Sequence, residues 1–371
     1  MSRFGITYTI SPGKGESLDE KILGIILEQS VELPYSLVTP QWEEQILGHE
    51  RERQQLEANS WKIVIDWPVK NAGNEWTQFL NILYGNISMQ RGIRIDNVEW
   101  ENLPAHLRPG PKFGMEEVRQ KLNLPDRPLS CIPLKPMGTS PADLAQVAYE
   151  FAKGGIDLIK DDHGLANQEY APFRQRVERV VSAIRKAKAE SGHRARYFPH
   201  ISGDAGQLAE RYMLAGKLGA DGVMICPHLT GLPNMAALAD SNVKLPIIAH
   251  PSLSGALVTN PEQGMHPAFL YGSLWRAFGA DFSIYANAGG RFPFTESQSR
   301  AIAEFARDKT FPFKTTFPMP GGGIKRESLD YWLPSYGKDV VMLIGGSLYK
   351  HPKGKTVAAE EIRTRLEAFM D

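Results

Sequence analysis

The sequence contains a short apolar stretch, 154–159, that leads directly into Lys160, Asp162 and His163. In a β-strand, residues two apart lie on the same face, so Lys160 and Asp162 are predicted to point the same way, with His163 just past the strand end. An ammonium group, a carboxylate and an imidazole would then meet in one spot, as they do in active sites. The alternative interpretation is an ion pair at the end of a strand, which contributes little.

Polar residues also follow other apolar segments that are predicted to be strands. Lys135 ends one such segment, and His200 and His250 lie at the ends of two others. A lysine held in an apolar pocket can accept a proton from carbon, whereas a lysine that reaches into solvent would have no such role. His250 is a second candidate because of its predicted strand-end position, although most single histidines only form hydrogen bonds. Arg291 brings a cation into a glycine-rich loop after a further strand.

Two glycine-rich turns follow the last two apolar segments. Gly321, Gly322 and Gly323 form one turn, and Gly345 and Gly346 form the other. Backbone N–H groups can approach a phosphate closely where no Cβ intervenes. Each cluster alone could be an ordinary tight turn, but the two together favour a phosphorylated substrate.

These candidates lie on a repeating pattern of strands and helices. From residue 126 onward, apolar strand-like runs alternate with helical stretches eight times. The predicted strands are 129–134, 156–160, 196–201, 222–226, 245–250, 281–285, 315–319 and 340–344. This pattern predicts a (β/α)8 TIM barrel over residues 126–371, in which the C-terminal ends of the strands carry the catalytic groups.

The first 125 residues have a different pattern. Strands are predicted at 4–10, 61–67 and 93–101, with helices that begin at Leu18 and at Trp76. This mixture is typical of a small α+β, ferredoxin-like domain, which a proline-rich connector at 103–128 joins to the barrel. The predicted fold class is therefore α/β, with a C-terminal barrel preceded by a small α+β domain.

Composition narrows the range of partners. Lys and Arg total 42, and Asp and Glu also total 42, so no basic excess indicates nucleic-acid binding. The two cysteines, Cys131 and Cys226, lie far apart and indicate neither a disulfide framework nor a zinc site, which fits a reducing compartment. With neither a signal peptide nor a membrane-spanning apolar run expected, we predict a cytoplasmic protein without membrane contact.

The motif around Lys160 resembles the metal site of the ribulose bisphosphate carboxylase (RuBisCO) superfamily. In that superfamily the lysine is carbamylated by carbon dioxide and holds magnesium together with two acidic residues that follow it. Asp162 matches the first acid, but His163 replaces the second. The resemblance thus implies magnesium or another divalent metal on Lys160, Asp162 and His163, with a CO2-derived carbamate on Lys160.

The resemblance covers nearly the whole chain and implies further roles. Lys135 resembles the lysine that handles the carbon-bound proton, His250 a histidine near the substrate, and Arg291 falls where carboxylases carry a mobile-loop lysine. The residues that match phosphate-binding turns are Gly322, Gly323, Gly345 and Gly346.

Two residues of the N-terminal domain, Glu28 and Asn86, resemble residues that reach across to a neighbouring subunit's barrel. The implied assembly is a homodimer with shared active sites. From the residues alone, a glutamate on a helix surface and an asparagine in a turn would be the simpler interpretation.

Three departures from the carboxylase pattern bear on the reaction. Met137 replaces a second catalytic lysine, Pro251 replaces an arginine that binds phosphate, and Ile284 replaces a substrate-contacting histidine. The predicted pocket is more apolar and less positively charged, which suits one phosphate and one less polar end. A RuBisCO-like protein is implied, not a carboxylase.

The reaction that fits these residues is metal-assisted enolisation of a small phosphorylated keto sugar. The leading expectation is a 5-methylthioribulose-1-phosphate isomerase of methionine salvage. Alternatives are a 2,3-diketo-5-methylthiopentyl-1-phosphate enolase, or a decarboxylase or hydrolase of 3-oxo-sugar-acid phosphates of the oxoisoapionate type. A non-catalytic protein that binds a phosphate ligand also remains open, since magnesium prefers oxygen ligands to the imidazole of His163.

Overall fold

The computed structural model describes residues 2–204 and 206–370. The chain forms two compact units. The first unit extends to Pro109 and includes Ser254–Leu270 and Thr310–Phe313; the second comprises Gly110–Leu253, Tyr271–Lys309 and the chain from Lys314 onward. A single domain boundary between residues 125 and 126 stays a prediction.

The first unit contains a five-stranded sheet with the order β10-β4-β1-β3-β2. With strands and helices numbered in chain order, its strands are β1 (Arg3–Ile10), β2 (His49–Glu57), β3 (Ser60–Pro68), β4 (Ile93–Val98) and β10 (Gly264–Met265). Its helices are α1 (Leu18–Glu28), α2 (Pro40–Gln45), α3 (Trp76–Tyr84) and α10 (Gly255–Val258). Apart from the parallel pair of β10 and β4, the strands are antiparallel.

The start of α1 follows from local sequence. Ser17 caps α1 through its side chain, and Glu20 bonds back to the Ser17 backbone, so both groups fix the start of the helix.

The strand β2 lies outside the strands predicted from the sequence, because its residues are mostly charged or polar. All nine of its residues are exposed at the edge of the sheet, where charged side chains are tolerated and no apolar alternation is required.

The second unit contains eight parallel strands in the order β7-β6-β5-β13-β12-β11-β9-β8. These strands are β5 (Leu129–Leu134), β6 (Leu158–Asp161), β7 (Arg196–Phe198), β8 (Val223–Ile225), β9 (Ile247–Ala249), β11 (Phe282–Ala286), β12 (Phe317–Gly321) and β13 (Val341–Leu343). A bridge between His200 and Met224 joins the two ends of this order. The predicted α/β fold with an eight-stranded barrel and a separate N-terminal sheet is confirmed.

The helices of the second unit are α4 (Gly114–Leu122), α5 (Pro141–Lys153), α6 (Phe173–Ser191), α7 (Gln207–Leu218), α8 (Pro227–Thr230), α9 (Leu232–Asp240), α11 (Trp275–Ala277), α12 (Glu296–Arg307), α13 (Leu329–Tyr336), α14 (Gly346–Tyr349) and α15 (Lys355–Ala368). Of these, α4 precedes the first barrel strand and the other helices follow the strands. Within the described ranges, no helix combines the length and apolar character needed to cross a membrane.

The barrel interior is filled by alternate strand residues. Leu158, Phe198 and Phe282 belong to one buried apolar cluster, which also includes Met115 and Val118 of α4. Burial of these side chains removes apolar surface from water, which is the dominant favourable term in folding. The interior is therefore a packed core, and the polar residues that concern function lie at the strand ends.

A buried ion pair joins the start of β5 to the segment before β6. Asp157 accepts two hydrogen bonds from the Arg127 guanidinium, at 2.9 and 3.0 Å. It also accepts the Ser130 backbone N–H and hydroxyl, at 2.8 and 2.9 Å. Because both charged side chains are buried, each depends on the other for compensation.

We predict that Asp157→Ala lowers the free energy of unfolding by about 3–5 kcal/mol, because it leaves the buried Arg127 charge without its partner. Denaturant titration of the purified protein measures this loss. Glu178→Ala is the matched control, since it removes an exposed pair with Arg174 on α6 and should cost less than about 1 kcal/mol. Equal losses in the two variants would contradict the assignment.

Candidate active site

Lys160 lies inside the barrel near the end of β6. It shares the inward face with Leu158, as alternation along the strand requires. The side chain is buried, and its Nζ donates to the Asp161 carbonyl oxygen at 3.0 Å. Burial lowers the pKa of Lys160, although the Asp162 charge opposes this shift. A neutral amine at this position is therefore favoured more than at an exposed lysine.

Asp162 follows β6 and connects three candidate residues. Its Oδ2 lies 3.5 Å from the Nζ of Lys135, and its Oδ1 accepts the Nδ1–H of His163 at 3.2 Å. Burial alone would raise the pKa of Asp162. The hydrogen bond from His163 and the charges of Lys160 and Lys135 outweigh burial and hold this pKa well below its ordinary value. Asp162 is thus a carboxylate at neutral pH.

His250 follows β9 and stacks on His163, with ring centroids 4.6 Å apart and an interplanar angle of 16°. The Ser252 backbone N–H donates to His250 Nδ1 at 3.3 Å. Nδ1 is therefore the acceptor nitrogen of the neutral ring, and Nε2 carries the hydrogen. Burial, followed by the charge of Lys160, lowers the pKa of His250 well below its ordinary value. The ring is a neutral hydrogen-bond donor at neutral pH.

Lys135 follows β5 and is partly exposed, with 39 % of its side chain accessible. Its backbone N–H donates to the Tyr349 hydroxyl at 3.0 Å. Nearby, Met137 leans over Gly164, since a Cβ at Gly164 would lie 2.5 Å from the Met137 sulfur. The thioether thus covers the loop that follows Asp162 and His163 with an apolar group.

Two residues of this cluster were not selected from the sequence. His200 is buried, donates through Nδ1 to the Leu165 carbonyl oxygen at 2.9 Å, and has Nε2 at 3.5 Å from the Cys226 sulfur. Burial lowers the pKa of His200 to about 4. The position of His200 at the end of a predicted strand is the sequence feature that indicates a place near the site. Nothing in the sequence predicts its contact with Cys226.

The loops after β11 and β12 pack against each other through glycine backbones. A Cβ at Gly323 would collide with the Ala288 carbonyl oxygen, and a Cβ at Gly290 would collide with the Gly322 carbonyl oxygen. Gly322 also has a φ of +78°, which favours glycine. Arg291 is exposed between these contacts, with its guanidinium carbon 5.2 Å from the Phe292 ring centroid.

The other glycine turn lies after β13. Gly345 precedes α14, and Gly346 is the first residue of that helix. A Cβ at either glycine would meet no side chain, and no backbone beyond that of its own turn and helix, within 4 Å. The space on this side of the turn is therefore open.

Glu28 and Asn86 lie together in the first unit. Asn86 Nδ2 donates to Glu28 Oε1 at 2.9 Å, and both side chains are accessible to solvent. The structure thus brings this pair of predicted residues into contact with each other. Their predicted role toward a second subunit stays a prediction.

A metal site at this position depends on Lys160. Residues 2–204 and 206–370 contain no group of three His, Cys, Asp or Glu side chains that could hold a metal ion. Asp162 offers a carboxylate and His163 offers Nε2, since Nδ1–H donates to Asp162. A carbamate on the buried Lys160 would supply the third ligand. Because the set then contains one nitrogen beside its oxygen ligands, it is less selective for magnesium over other divalent metals than an all-oxygen set.

Comparison with known proteins gives a consistent result. The family model "Ribulose bisphosphate carboxylase large chain, catalytic domain" matches residues 114–371. The chain is 36 % identical to "Ribulose bisphosphate carboxylase-like protein 1" of Rhodopseudomonas palustris over 93 % of this chain and 92 % of that protein. It is 33 % identical to a protein of Rhodospirillum rubrum named 5-methylthioribulose-1-phosphate isomerase, over 93 % and 91 %.

A solved structure shows the same fold. The crystal structure of a Rubisco-like protein from Rhodopseudomonas palustris aligns with a TM-score of 0.88 at 32 % identity, and the alignment covers 100 % of this chain and 99 % of that chain.

We predict that Gly323→Ala lowers the free energy of unfolding by about 1–3 kcal/mol, because its methyl group would displace the loop at Ala288. Gly346→Ala is the control, since its methyl group meets no neighbouring atom and alanine favours a helix. This variant should stay within about 0.5 kcal/mol of the unmodified protein. Denaturant unfolding of both proteins makes the measurement, and a Gly346→Ala loss as large as that of Gly323→Ala would contradict the packing described here.

Proposed function

Because the chain belongs to the RuBisCO large-chain family, we propose that it is a RuBisCO-like enzyme that enolises a small phosphorylated keto sugar and does not fix CO2. The observation that carries this proposal is the contact between the Lys135 amine and the Asp162 carboxylate, 3.5 Å apart, beside Lys160 and the neutral ring of His250. A base, a hydrogen-bond donor and the predicted metal ligands are all present in this cluster.

Each residue of the cluster has a distinct part in the proposed reaction. In its neutral form, Lys135 removes a proton from the carbon next to the substrate carbonyl and returns it to another carbon. Its amine lies 3.5 Å from the Asp162 carboxylate and therefore beside the predicted metal ligands. The Nε2–H of His250 donates to a substrate oxygen, on which negative charge develops. A divalent metal held by Asp162, His163 and carbamylated Lys160 would polarise the carbonyl group.

Three side chains support proton transfer over carboxylation of a bisphosphate. Met137 is neutral and covers Gly164, and Ile284 is buried in the apolar core of the barrel. Pro251, which follows His250, offers no charge for a second phosphate. The substrate that fits has one phosphate, bound at the turns after β12 and β13, and one less polar end.

The best candidate substrate is 5-methylthioribulose 1-phosphate, which has one phosphate and an apolar thioether end. A relative that carries the name of this isomerase is similar over nearly the full chain. The enolase acting on 2,3-diketo-5-methylthiopentyl 1-phosphate and enzymes of 3-oxo-sugar-acid phosphates are the alternatives, because each of these reactions also passes through an enolate. A protein that binds a phosphate ligand without catalysis is the last alternative.

We also propose that the protein is a homodimer. The support is the exposed Glu28–Asn86 pair, whose members resemble residues that complete the active site of a neighbouring subunit in this family. In this assembly each active site would use one barrel and the first unit of the partner.

We predict that the protein, with magnesium and bicarbonate in deuterated buffer, converts 5-methylthioribulose 1-phosphate into isomeric pentulose phosphates that carry deuterium at the reacting carbons. Phosphorus and proton NMR measure both effects. Lys135→Ala should abolish exchange, because the group that takes the proton is gone. Lys188→Ala, at an exposed position of α6, is the control and should retain it.

Two outcomes would contradict parts of this proposal. Full deuterium exchange in Lys135→Ala would remove Lys135 as the base. Neither exchange nor conversion by the unmodified protein would exclude this substrate, and decarboxylation of 3-oxo acid phosphates would then be the reaction to measure.

We predict that Lys160 forms the carbamate. A neutral amine adds to CO2 and releases one proton, and burial favours the neutral amine of Lys160. Carbon NMR with ¹³C-labelled bicarbonate should show a carbamate signal that is lost in Lys160→Ala and kept in Lys135→Ala. A signal that persists in Lys160→Ala would place the carbamate on another amine.

A further inference from the structure

The hydrogen-bond ladder between β5 and β13 ends before β5 does. The strands pair from Leu129 to Cys131, and the Ile344 N–H donates to the Cys131 carbonyl oxygen at 3.0 Å. The next bond of a parallel ladder would require an N–H from Pro133, and proline has none. The end of β5, which leads to Lys135, therefore needs another partner on this side.

The Tyr349 side chain supplies that partner. Its hydroxyl donates to the Pro133 carbonyl oxygen at 2.8 Å and accepts the Lys135 N–H at 3.0 Å. In a parallel ladder, a backbone residue opposite Leu134 would use its N–H and C=O groups for these same two bonds. One phenol oxygen thus takes the place of a strand residue at the point where the chain leaves the barrel toward the catalytic lysine.

Tyr349 also belongs to the element that carries the glycine turn. It is the last residue of α14, which begins at Gly346, so only Ser347 and Leu348 separate the two residues. The ring packs edge-on against Phe151 of α5, with centroids 5.3 Å apart. Burial raises the pKa of Tyr349 far above neutrality, so the hydroxyl keeps its proton and remains a donor.

We infer that Tyr349 is a positioning residue that fixes the backbone at Lys135, and with it the point from which the lysine side chain reaches the substrate. The tyrosine hydroxyl bonds to the backbone on both sides of Leu134, and the contact with Phe151 holds the tyrosine ring. This inference deepens the proposed function, since it takes Lys135 as the base.

A buried tyrosine on another helix of the second unit provides a matched control. The Tyr212 hydroxyl of α7 contacts two backbone carbonyl oxygens, those of Val243 and Leu245, at 3.0 and 2.9 Å. Tyr212→Phe and Tyr349→Phe both remove a hydroxyl with two backbone partners, so their costs in stability should be comparable. Only Tyr349 contacts the backbone of a proposed catalytic residue.

The first experiment needs no substrate. In protein labelled with ¹⁵N-lysine, the Lys135 amide signal is assigned by its absence in Lys135→Arg. The hydrogen exchange of this amide should be at least about ten-fold faster in Tyr349→Phe than in the unmodified protein, since its acceptor is gone, and it should be unchanged in Tyr212→Phe. Equal exchange rates in Tyr349→Phe and Tyr212→Phe would overturn the inference.

The second experiment is kinetic. Tyr349→Phe should lower kcat at least about ten-fold with KM within about two-fold, because a small misplacement of a base slows the chemical step more than it weakens binding. Tyr212→Phe should leave kcat unchanged, and an unchanged kcat in Tyr349→Phe would overturn the inference. If the unmodified protein turns over none of the candidate substrates, the proposed function fails, and the hydrogen exchange of the Lys135 amide still decides whether Tyr349 holds this backbone.

Discussion

The end of β6, which carries Lys160 and leads to Asp162, is held in place by Asp161, a buried carboxylate. Its Oδ2 accepts the Arg176 Nε–H at 3.0 Å and the His200 backbone N–H at 2.9 Å, and its Oδ1 accepts the Tyr197 hydroxyl at 2.7 Å. Asp161 and Arg176 are fully buried, so each charge requires the other. With Asp161 held on the outer face of the strand, alternation directs Lys160 inward and places Asp162 at the strand end.

The residues around Asp162 differ in which protonation state is favoured. Burial lowers the pKa values of Lys160 and His250, while the hydrogen bond from His163 favours the ionised form of Asp162. The ionised Asp162 carboxylate has lone pairs that can bind a cation. The Lys160 amine, when it is neutral, is free to react with CO2. A carbamate-dependent metal site requires both an ionised carboxylate and a neutral amine. The lowered pKa of the lysine comes mainly from burial of its side chain and not from one ion pair.

The loops and turns around the candidate site are positioned by backbone contacts. The loops after β11 and β12 approach each other at Gly290 and Gly323, where any side chain would meet a carbonyl oxygen. On the opposite side of β13, Pro133 ends the hydrogen-bond ladder between β13 and β5. The Tyr349 hydroxyl then bonds to the Pro133 carbonyl oxygen and the Lys135 N–H in place of a strand residue. Gly322 and Gly323 thus contact the loop that carries Arg291, and Tyr349, on the helix after the last glycine turn, contacts the backbone of Lys135.

The sequence determined the barrel and most of the cluster by itself, because strand periodicity and strand-end chemistry are local. The strand β5 has the predicted bounds, and Lys135, Asp162 and His250 lie where their strands end. Boundaries were less accurate where proline intervenes: β7 ends at Phe198, before Pro199. Glu28 and Asn86 were paired by resemblance, and their contact was not predictable from either residue alone.

Only the tertiary structure decided the partners. The stacking of His163 on His250, the contact between His200 and Cys226, and the bond from Lys135 to Tyr349 join residues far apart in the chain. A local pattern indicates which face a side chain occupies, but it carries no information on which distant side chain shares that space. Those distances are fixed by the closure of the eight strands, and with them the protonation states on which the proposed chemistry depends.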